Sequence, residues 1–394
     1  MKGMPLHSKG MMINMMCGIY IHIPFCRRKC IYCDFYSVCY DKKLSNAFVS
    51  ALNKSIKNRA DDAIKVDTIY LGGGTPTVLE SRDLVSVLNT VKSSFDVSSD
   101  AEITVEANPC TVTRESLSEL CLGGFNRISF GIQSAVNEEL SALSRLHSFE
   151  QAKEAVLNAE KAGFLNISAD IMIGIINQTK ESLVDSIEKI TSLPVRHISA
   201  YMLKVEENTP LEAMIKKDNN ILKSIADEDE LSSRYLLMCR LLEEKGFSQY
   251  EISNFAKQGF ESRHNLKYWR CEEYLGFGPH AHSYFDNKRY FYDCDIKSFI
   301  ENNGEPQITY TDTDIDKAQE YIMLSLRLKD GLDIDRLLKL DKEGKYNNII
   351  SYAEGINRLS KDKLINISED KKHISLTKKG FLVSNTIIAG LLDN

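Results

Sequence analysis

The segment Cys26-Arg-Arg-Lys-Cys30-Ile-Tyr-Cys33 directly follows an apolar run at Ile19–Ile23, and it decides how the rest of the chain is interpreted. Its three cysteines lie within eight residues, so their thiolates fit one face of a cubane [4Fe–4S] cluster. Such clusters normally take four cysteine ligands, and this motif supplies three. One iron is then open, and an open iron can chelate a substrate.

Two further cysteines lie near the motif and leave alternatives open. Cys17 precedes the first apolar run and Cys39 follows Cys33, so either is a candidate fourth ligand or a zinc ligand. Structural zinc sites usually combine two Cys-x2–4-Cys pairs, and no second pair occurs here. The other five cysteines are isolated and are interpreted as buried small hydrophobes. They are Cys110, Cys121, Cys239, Cys271 and Cys294.

Composition indicates an ordinary globular protein. The 394 residues carry 49 basic and 55 acidic side chains, for a net charge of −6, and 43% are hydrophobic. These values exclude disorder over most of the chain and disfavour an electrostatic nucleic-acid binder. No apolar run is long enough to predict a membrane-spanning helix. We expect a cytoplasmic protein, with weak membrane association left open, and a loose arm at residues 1–16.

Six β-rich apolar runs alternate with helical patterns between Ile19 and Leu203. The predicted strands are Ile19–Ile23, Thr68–Leu71, Ile103–Glu106, Arg127–Phe130, Ile167–Ile173 and His197–Leu203. This alternation predicts an α/β fold over residues 17–210, either an open doubly wound sheet or a partial barrel. In both cases the chemistry belongs at the carboxyl ends of the strands.

The alternation fades after Pro210, which indicates a linking region over residues 211–310 and a smaller α+β region over 311–394. Helical patterns followed by a hairpin at Ile365–Thr377 and a last helix at Phe381–Leu392 predict a winged-helix-like module. Such modules bind nucleic acid or protein, or serve only as packing. Packing is the favoured interpretation.

Polar and glycine residues follow the predicted strands. Gly72-Gly-Gly-Thr-Pro76 follows the second strand and permits close backbone approach. Glu106, Gln133 and Asp170 lie at or near the third, fourth and fifth strands, and Arg145 falls between the last two. Carboxylate and amide oxygens accept hydrogen bonds from hydroxyl and ammonium groups, so these residues predict a binding site at one edge of the sheet.

The Cys-x3-Cys-x2-Cys spacing resembles the signature of the radical S-adenosylmethionine (SAM) superfamily. Several stretches also resemble the oxygen-independent coproporphyrinogen III oxidase family: Tyr20–Cys26, Gly72–Pro76, Glu106–Pro109, Ser129–Gln133 and Asp170–Gly174. The resemblance implies a partial (β/α)6 barrel, with a [4Fe–4S] cluster on Cys26, Cys30 and Cys33 and SAM on the open iron. It also implies which residues contact SAM. These are Tyr20, Gly73, Gly74, Thr75, Glu106, Gln133, Arg145 and Asp170.

Two features resemble the heme chaperone branch of that family. Phe35 stands where the true oxidase carries a further cysteine, and His264-Asn-Leu-Lys-Tyr-Trp269 resembles the HNxxYW element of the chaperones. The resemblance implies heme, a heme-accepting protein of unknown identity and, if SAM is cleaved, an electron donor such as flavodoxin or ferredoxin. No nucleic acid is expected. The alternatives are an oxidase that decarboxylates coproporphyrinogen III and a structural zinc protein.

The HNxxYW element also has the chemistry of a heme site. His264 could ligate iron through a ring nitrogen, and Tyr268 and Trp269 could wall a porphyrin. The porphyrin carboxylates could pair with three neighbouring cations, Arg263, Lys267 and Arg270. From the residues alone, a capping histidine beside an aromatic core cluster is favoured, and the resemblance reverses that order. The prediction is one heme per chain at His264, with His147, His280 and His282 as the next candidates.

One stretch departs from the family pattern. Ile175-Ile176-Asn177 stands where family members usually carry Leu-Pro-Gly, before Gln178 and Thr179. Loss of proline and glycine predicts a different turn after the fifth strand.

Overall fold

The computed structural model of the protein describes residues 16–305, 308–312 and 316–393. The predicted N-terminal arm lies outside these ranges, except for Met16. The strands are β1 (Cys17–Ile23), β2 (Phe25–Cys26), β3 (Val38–Cys39), β4 (Asp61–Gly73), β5 (Phe95–Ala107), β6 (Arg127–Gln133), β7 (Asn166–Ile173), β8 (His197–Met202), β9 (Ser248–Gln249), β10 (Asn254–Ala256), β11 (Tyr274–Phe277), β12 (His282–Phe285), β13 (Lys288–Tyr292), β14 (Ile308–Asp312), β15 (Leu332–Asp333), β16 (Ile365–Ile367) and β17 (His373–Leu376).

Helices separate most of the strands and pack their apolar stripes against the sheet. They are α1 (Lys42–Asn58), α2 (Ser81–Ser94), α3 (Arg114–Leu122), α4 (Asn137–Ala142), α5 (Phe149–Ala162), α6 (Lys180–Thr191), α7 (Pro210–Lys217), α8 (Asn219–Lys223), α9 (Glu228–Glu244), α10 (Arg263–Trp269), α11 (Ile296–Glu301), α12 (Lys317–Ser325), α13 (Ile334–Leu340), α14 (Ile349–Leu359), α15 (Lys378–Leu382) and α16 (Ser384–Leu392). No helix in these described ranges is long and apolar enough to cross a membrane.

A twelve-stranded sheet forms the centre of the molecule, in the order β14-β13-β12-β11-β1-β4-β5-β6-β7-β8-β10-β9. The six strands from β1 through β4, β5, β6 and β7 to β8 are parallel neighbours. Strands β14 and β9 form two separate edges, so the sheet stays open. The predicted α/β partial barrel is confirmed, and the carboxyl ends of its parallel strands meet at one edge.

Alternation along β1 explains why the barrel interior is polar. Ile19, Ile21 and Ile23 are fully buried in the apolar core. The intervening residues point to the other face, because side chains alternate along a strand. There the Tyr20 hydroxyl lies 3.1 Å from Nδ1 of His22.

Strand β11 joins the parallel sheet beside β1, which the sequence pattern did not predict. Residues Tyr274–Phe277 pair in parallel with Gly18–Ile21, and β12, β13 and β14 continue the sheet antiparallel to one another. The pairing partner lies far away in the sequence, so no local alternation signals it. As a result, the residues that follow β11 lie next to the residues that follow β1.

The C-terminal region contains α12–α16 and a small antiparallel sheet in the order β15-β17-β16. The predicted hairpin appears as β16 and β17. The last helix was predicted as one segment over Phe381–Leu392, but it is divided into α15 and α16. Val383 separates the two, since its φ of −116° and ψ of 24° lie outside the helical region.

Candidate functional site

A closed loop carries the three cysteines of the motif. Cys26 ends β2, which pairs in parallel with β3, and the Val38 N–H donates to the Pro24 carbonyl over 2.7 Å. Inside the loop, the Cys33 N–H donates to the Cys30 carbonyl over 3.2 Å. The loop therefore presents all three side chains to one cavity.

The structure places the two alternative ligands elsewhere. Cys17 is buried at the amino end of β1, and Cys39 is exposed with its Sγ 3.8 Å from the Arg27 carbonyl oxygen. Neither lines the cavity, and every cysteine in the described ranges is a free thiol. No three donors of the described residues converge on one point as a single metal ion requires, whereas a cubane takes each thiolate at a different iron. The donor set fits a [4Fe–4S] cluster with one open iron.

The glycine run after β4 packs directly on the backbone of this loop. The Thr75 N–H donates to the Phe25 carbonyl over 2.7 Å, and a Cβ added at Gly74 would lie 2.6 Å from that same oxygen. Gly73 has a φ of 108°, a conformation that favours glycine. The run is therefore fixed by close approach to the cysteine loop, and it forms one wall of the cavity.

The cavity has a volume of about 410 Å³ and lies at the carboxyl ends of the parallel strands. Its lining includes the motif cysteines and most of the residues expected to contact SAM. Those residues are Gly73, Gly74, Thr75, Glu106, Gln133, Arg145 and Asp170.

Tyr20 is the exception, since it does not belong to this lining. Its ring packs inside the barrel, with centroid distances of 6.2 Å to Tyr70 and 6.4 Å to His264. Tyr20 therefore lies behind the lining of the cavity, next to Tyr70, whose hydroxyl donates to Glu106.

Two partly buried carboxylates face the cavity. Glu106 accepts hydrogen bonds from the Tyr70 hydroxyl over 2.7 Å and from the Gly73 N–H over 3.2 Å, and burial raises its pKa to about 7. Asp170 accepts from the Ser129 hydroxyl over 3.3 Å, and burial raises its pKa to about 6. Burial disfavours the charged form of each carboxyl group, and a cationic ligand in the cavity would lower both pKa values again.

Arg145 and Gln133 approach the cavity from the opposite side. The Arg145 guanidinium donates to Sγ of Cys30 over 3.3 Å and to the carbonyl oxygen of Gly131. Gln133 has a φ of 73°, and its buried Oε1 has no hydrogen-bond partner among the described residues. Buried polar atoms normally have a partner, so this oxygen indicates where a donor of a bound ligand would sit.

The HNxxYW element lies at the other end of the barrel. His264 lies in the first turn of α10 and is buried, with Nδ1 2.8 Å from the Thr68 hydroxyl and Nε2 2.8 Å from the Tyr268 hydroxyl. Its backbone N–H donates to Glu102. Burial lowers the pKa of the ring to about 3, so the imidazole is neutral.

The predicted heme ligation by His264 does not fit this geometry. Both ring nitrogens already have hydroxyl partners, so neither presents a lone pair to iron. The expected cation Lys267 is also buried and paired with Asp67 over 2.8 Å. Trp269 lies beside the Arg327 guanidinium, 6.0 Å from its ring centroid, at the junction with the C-terminal region. The structure contains the expected aromatic cluster around a buried histidine, but Ser262 rather than His264 caps α10.

Substituting His264 with alanine is expected to destabilise the fold. The change leaves the hydroxyls of Thr68 and Tyr268 without their shared partner, and each unsatisfied buried group costs about 1–3 kcal/mol. Chemical unfolding followed by circular dichroism measures the shift in midpoint. His282→Ala is the control, since His282 is exposed and should leave the midpoint unchanged. An unshifted midpoint in His264→Ala would contradict a structural role.

Comparisons with known proteins agree with the geometry. The model of the radical SAM superfamily matches residues 20–190. The heme chaperone HemW of Lactococcus lactis is 32% identical across 95% of this chain and 96% of its own length. HemW of Bacillus subtilis is 34% identical across 95% of this chain and 98% of its own length. The chain belongs to the HemW family of the radical SAM superfamily.

The HemW family shares its fold with a solved radical SAM enzyme. Coproporphyrinogen III oxidase (HemN) from Escherichia coli superposes with a TM-score of 0.80, covering 96% of this chain and 90% of that one at 21% identity. The likeness extends over both the barrel and the C-terminal region, and at this identity it concerns the fold alone. Membership of the superfamily implies a [4Fe–4S] cluster and SAM as cofactors.

The sequence departure after β7 keeps a tight turn in this HemW family member. Asn177 adopts a φ of 60°, which asparagine tolerates better than most residues. The Gly174 N–H donates to the Gln178 side chain over 2.7 Å, and Gln178 donates back to the Met172 carbonyl over 3.1 Å. The turn therefore forms without the usual proline and glycine, through the left-handed Asn177 and the buried Gln178.

Sequence reasoning missed several residues of the cavity. Tyr32, Asn108, Met172 and Tyr201 line it. Asn108 and Tyr201 lie at or just beyond the carboxyl ends of β5 and β8, so their strand-end position was a usable signal. Tyr32 lies between two cluster cysteines, and only the loop conformation shows that it faces inward.

Proposed function

We propose that this protein is a heme chaperone, which binds heme together with a SAM-ligated [4Fe–4S] cluster and transfers heme to an acceptor protein. The observation that carries the proposal is likeness to heme chaperones over nearly the full length of both chains. Phe35 supports it, because the oxidase branch is expected to carry a cysteine there. The side chain of Phe35 is 61% exposed at the mouth of the cavity.

Cys26, Cys30 and Cys33 are proposed to hold the cluster. When bound, the cluster supplies an open iron for SAM and an electron for its reductive cleavage. The Arg145 guanidinium donates to Sγ of Cys30 over 3.3 Å, so it holds one of the proposed ligands in position.

Strand-end residues are proposed to position SAM in the cavity. Glu106 and Asp170 are partly buried acceptors suited to the cationic and hydroxyl groups of SAM, and Gln133 offers an unpartnered oxygen. The glycine run Gly73–Thr75 packs tightly against His22 and Phe25 and lines the cavity, where its backbone is proposed to contact SAM.

An acidic electron donor such as flavodoxin or ferredoxin is proposed to dock beside the cysteine loop. Arg27, Arg28 and Lys29 are consecutive exposed cations between the first two cluster cysteines. Complementary charge raises the rate of association more than it raises the affinity of the complex. A cytoplasmic location is proposed from the number of free thiols.

Anaerobically purified protein is expected to take up heme and pass it to an apo-hemoprotein. Absorption spectra measure uptake, and recovery of the acceptor's own spectrum measures transfer. Coproporphyrinogen III, supplied with SAM and a reductant, should yield no protoporphyrinogen, because Phe35 replaces the oxidase cysteine. Turnover of coproporphyrinogen without heme uptake would establish the oxidase alternative and overturn the proposal.

A further inference from the structure

A surface cluster beside the cysteine loop contains two side chains of the types that ligate iron, His280 and Cys294. Nδ1 of His280 lies 2.8 Å from Sγ of Cys294. The ring of His282 is 5.6 Å from that of His280 and stacks on Phe291 at 5.2 Å. Imidazole and thiolate are the side-chain groups that most often ligate heme iron.

The fold brings this cluster next to the candidate SAM site. His280 follows β11, whose carboxyl end lies beside that of β1. The Tyr36 ring lies 6.1 Å from His280 and 6.3 Å from His22. The preceding residue, Phe35, lines the cavity that holds the motif cysteines. Phe35 and Tyr36 are adjacent in the cysteine loop, so the loop joins the cavity to the cluster at His280.

The backbone at His280 is held in an uncommon conformation. Its φ is 67°, although it is not a glycine, and its N–H donates to the Tyr292 carbonyl over 3.0 Å. Gly278 has a φ of 97°, and a Cβ added there would lie 2.5 Å from the His22 carbonyl oxygen. Positive φ in a residue with a side chain persists where the surroundings enforce it, and such positions concentrate at ligand sites.

His280 also differs from the buried histidines, because it combines an unpartnered ring nitrogen with a side chain that is only partly buried. Both nitrogens of His264, His197 and His22 have partners. His147 contacts the Ile132 carbonyl through Nε2; its Nδ1 has no hydrogen-bond partner among the described residues, but the side chain is buried and out of reach of heme iron. The Nδ1 of His280 is oriented by Cys294, and its Nε2 has no hydrogen-bond partner among the described residues.

We infer that His280 is the axial ligand of heme iron through Nε2, with Cys294 orienting the ring; the inference rests on the proposed function, that the protein binds heme. A histidine ligand usually donates its other N–H to a neighbouring acceptor, which fixes the tautomer. Here Nδ1–H donates to Sγ of Cys294 and leaves the Nε2 lone pair free. The rings of Phe35, Tyr36 and Phe291 offer apolar surface for the porphyrin.

His280→Asn is the decisive variant, since asparagine tolerates positive φ but has no imidazole. Titration with hemin is expected to lose the Soret band of the wild type and to weaken binding by more than about 100-fold. Removing a residue that orients a metal ligand lowers affinity by roughly 10- to 100-fold. Cys294→Val should therefore weaken heme binding less than His280→Asn does. Cys294→Ser should restore it, because a hydroxyl still accepts from Nδ1. Iron–sulfur content should stay unchanged in all three.

His373→Asn is the control, because His373 is an exposed histidine outside this cluster. It is expected to bind heme as the wild type does. If the wild type binds heme and His280→Asn gives the same spectrum and affinity, the inference is wrong while the proposed function stands. If the wild type binds no heme, both fail.

Discussion

The triple variant Cys26→Ala, Cys30→Ala and Cys33→Ala is expected to lose the [4Fe–4S] cluster completely. The three thiols line one cavity, and no other cysteine among the described residues joins them there. A cubane needs its cysteine ligands, so removal of all three leaves no anchor. After anaerobic reconstitution, iron and sulfide content and the EPR signal of the reduced protein measure the loss.

Cys39→Ala is the matched control for that variant. Cys39 belongs to β3, which closes the same loop, but it is exposed and outside the cavity. The control should retain full cluster content and the same EPR signal. Unchanged iron in the triple variant, or loss of the cluster in Cys39→Ala, would contradict the assignment of ligands.

Glu106→Gln is expected to weaken SAM binding strongly while making the SAM-free protein more stable. Hydrogen bonds to charged groups contribute about 1.5–3 kcal/mol, which corresponds to a roughly 10- to 100-fold loss of SAM affinity. The glutamine oxygen can still accept from the Gly73 N–H, and its amide can donate to the Tyr70 hydroxyl. The fold should therefore be retained, and the partly buried negative charge is removed.

The stability gain depends on pH. Burial raises the pKa of Glu106 from 4.5 to about 7, so between these values the folded state binds more protons than the unfolded state. Stability of the wild type consequently falls as the pH rises from 4.5 to 7, by on the order of 3 kcal/mol from this group. Glu106→Gln lacks this loss, so its advantage should be absent near pH 4.5 and complete above pH 7.

Denaturant titrations at several pH values and the SAM-induced change in the cluster EPR signal test both effects. The affinity of the wild type for SAM should fall as the pH drops below 7, because protonation neutralises Glu106. Glu206→Gln is the control: Glu206 lines the same cavity but is partly exposed and paired with Lys204 over 2.7 Å. An equal effect in the control, or unchanged SAM affinity in Glu106→Gln, would overturn the assigned role.

Much of the barrel and of the cavity could be predicted from the sequence. The spacing of Cys26, Cys30 and Cys33 is a local property, and one short loop carries it. Glu106 and Asp170 could be assigned to the same site because the carboxyl ends of parallel strands meet at one edge. Local periodicity and strand order were sufficient for these predictions.

Only the tertiary structure decided the state of the histidines. The family resemblance implied that His264 was a ligand, yet Thr68, 196 positions away, occupies one of its nitrogens. The sequence offered His280 only as one of three next candidates, because its position depends on β11 joining β1 from 256 residues further along the chain. Burial and hydrogen-bond partners arise from contacts between distant segments. Local sequence patterns predict which residues a strand or loop contains. They do not predict which distant groups form hydrogen bonds with those residues.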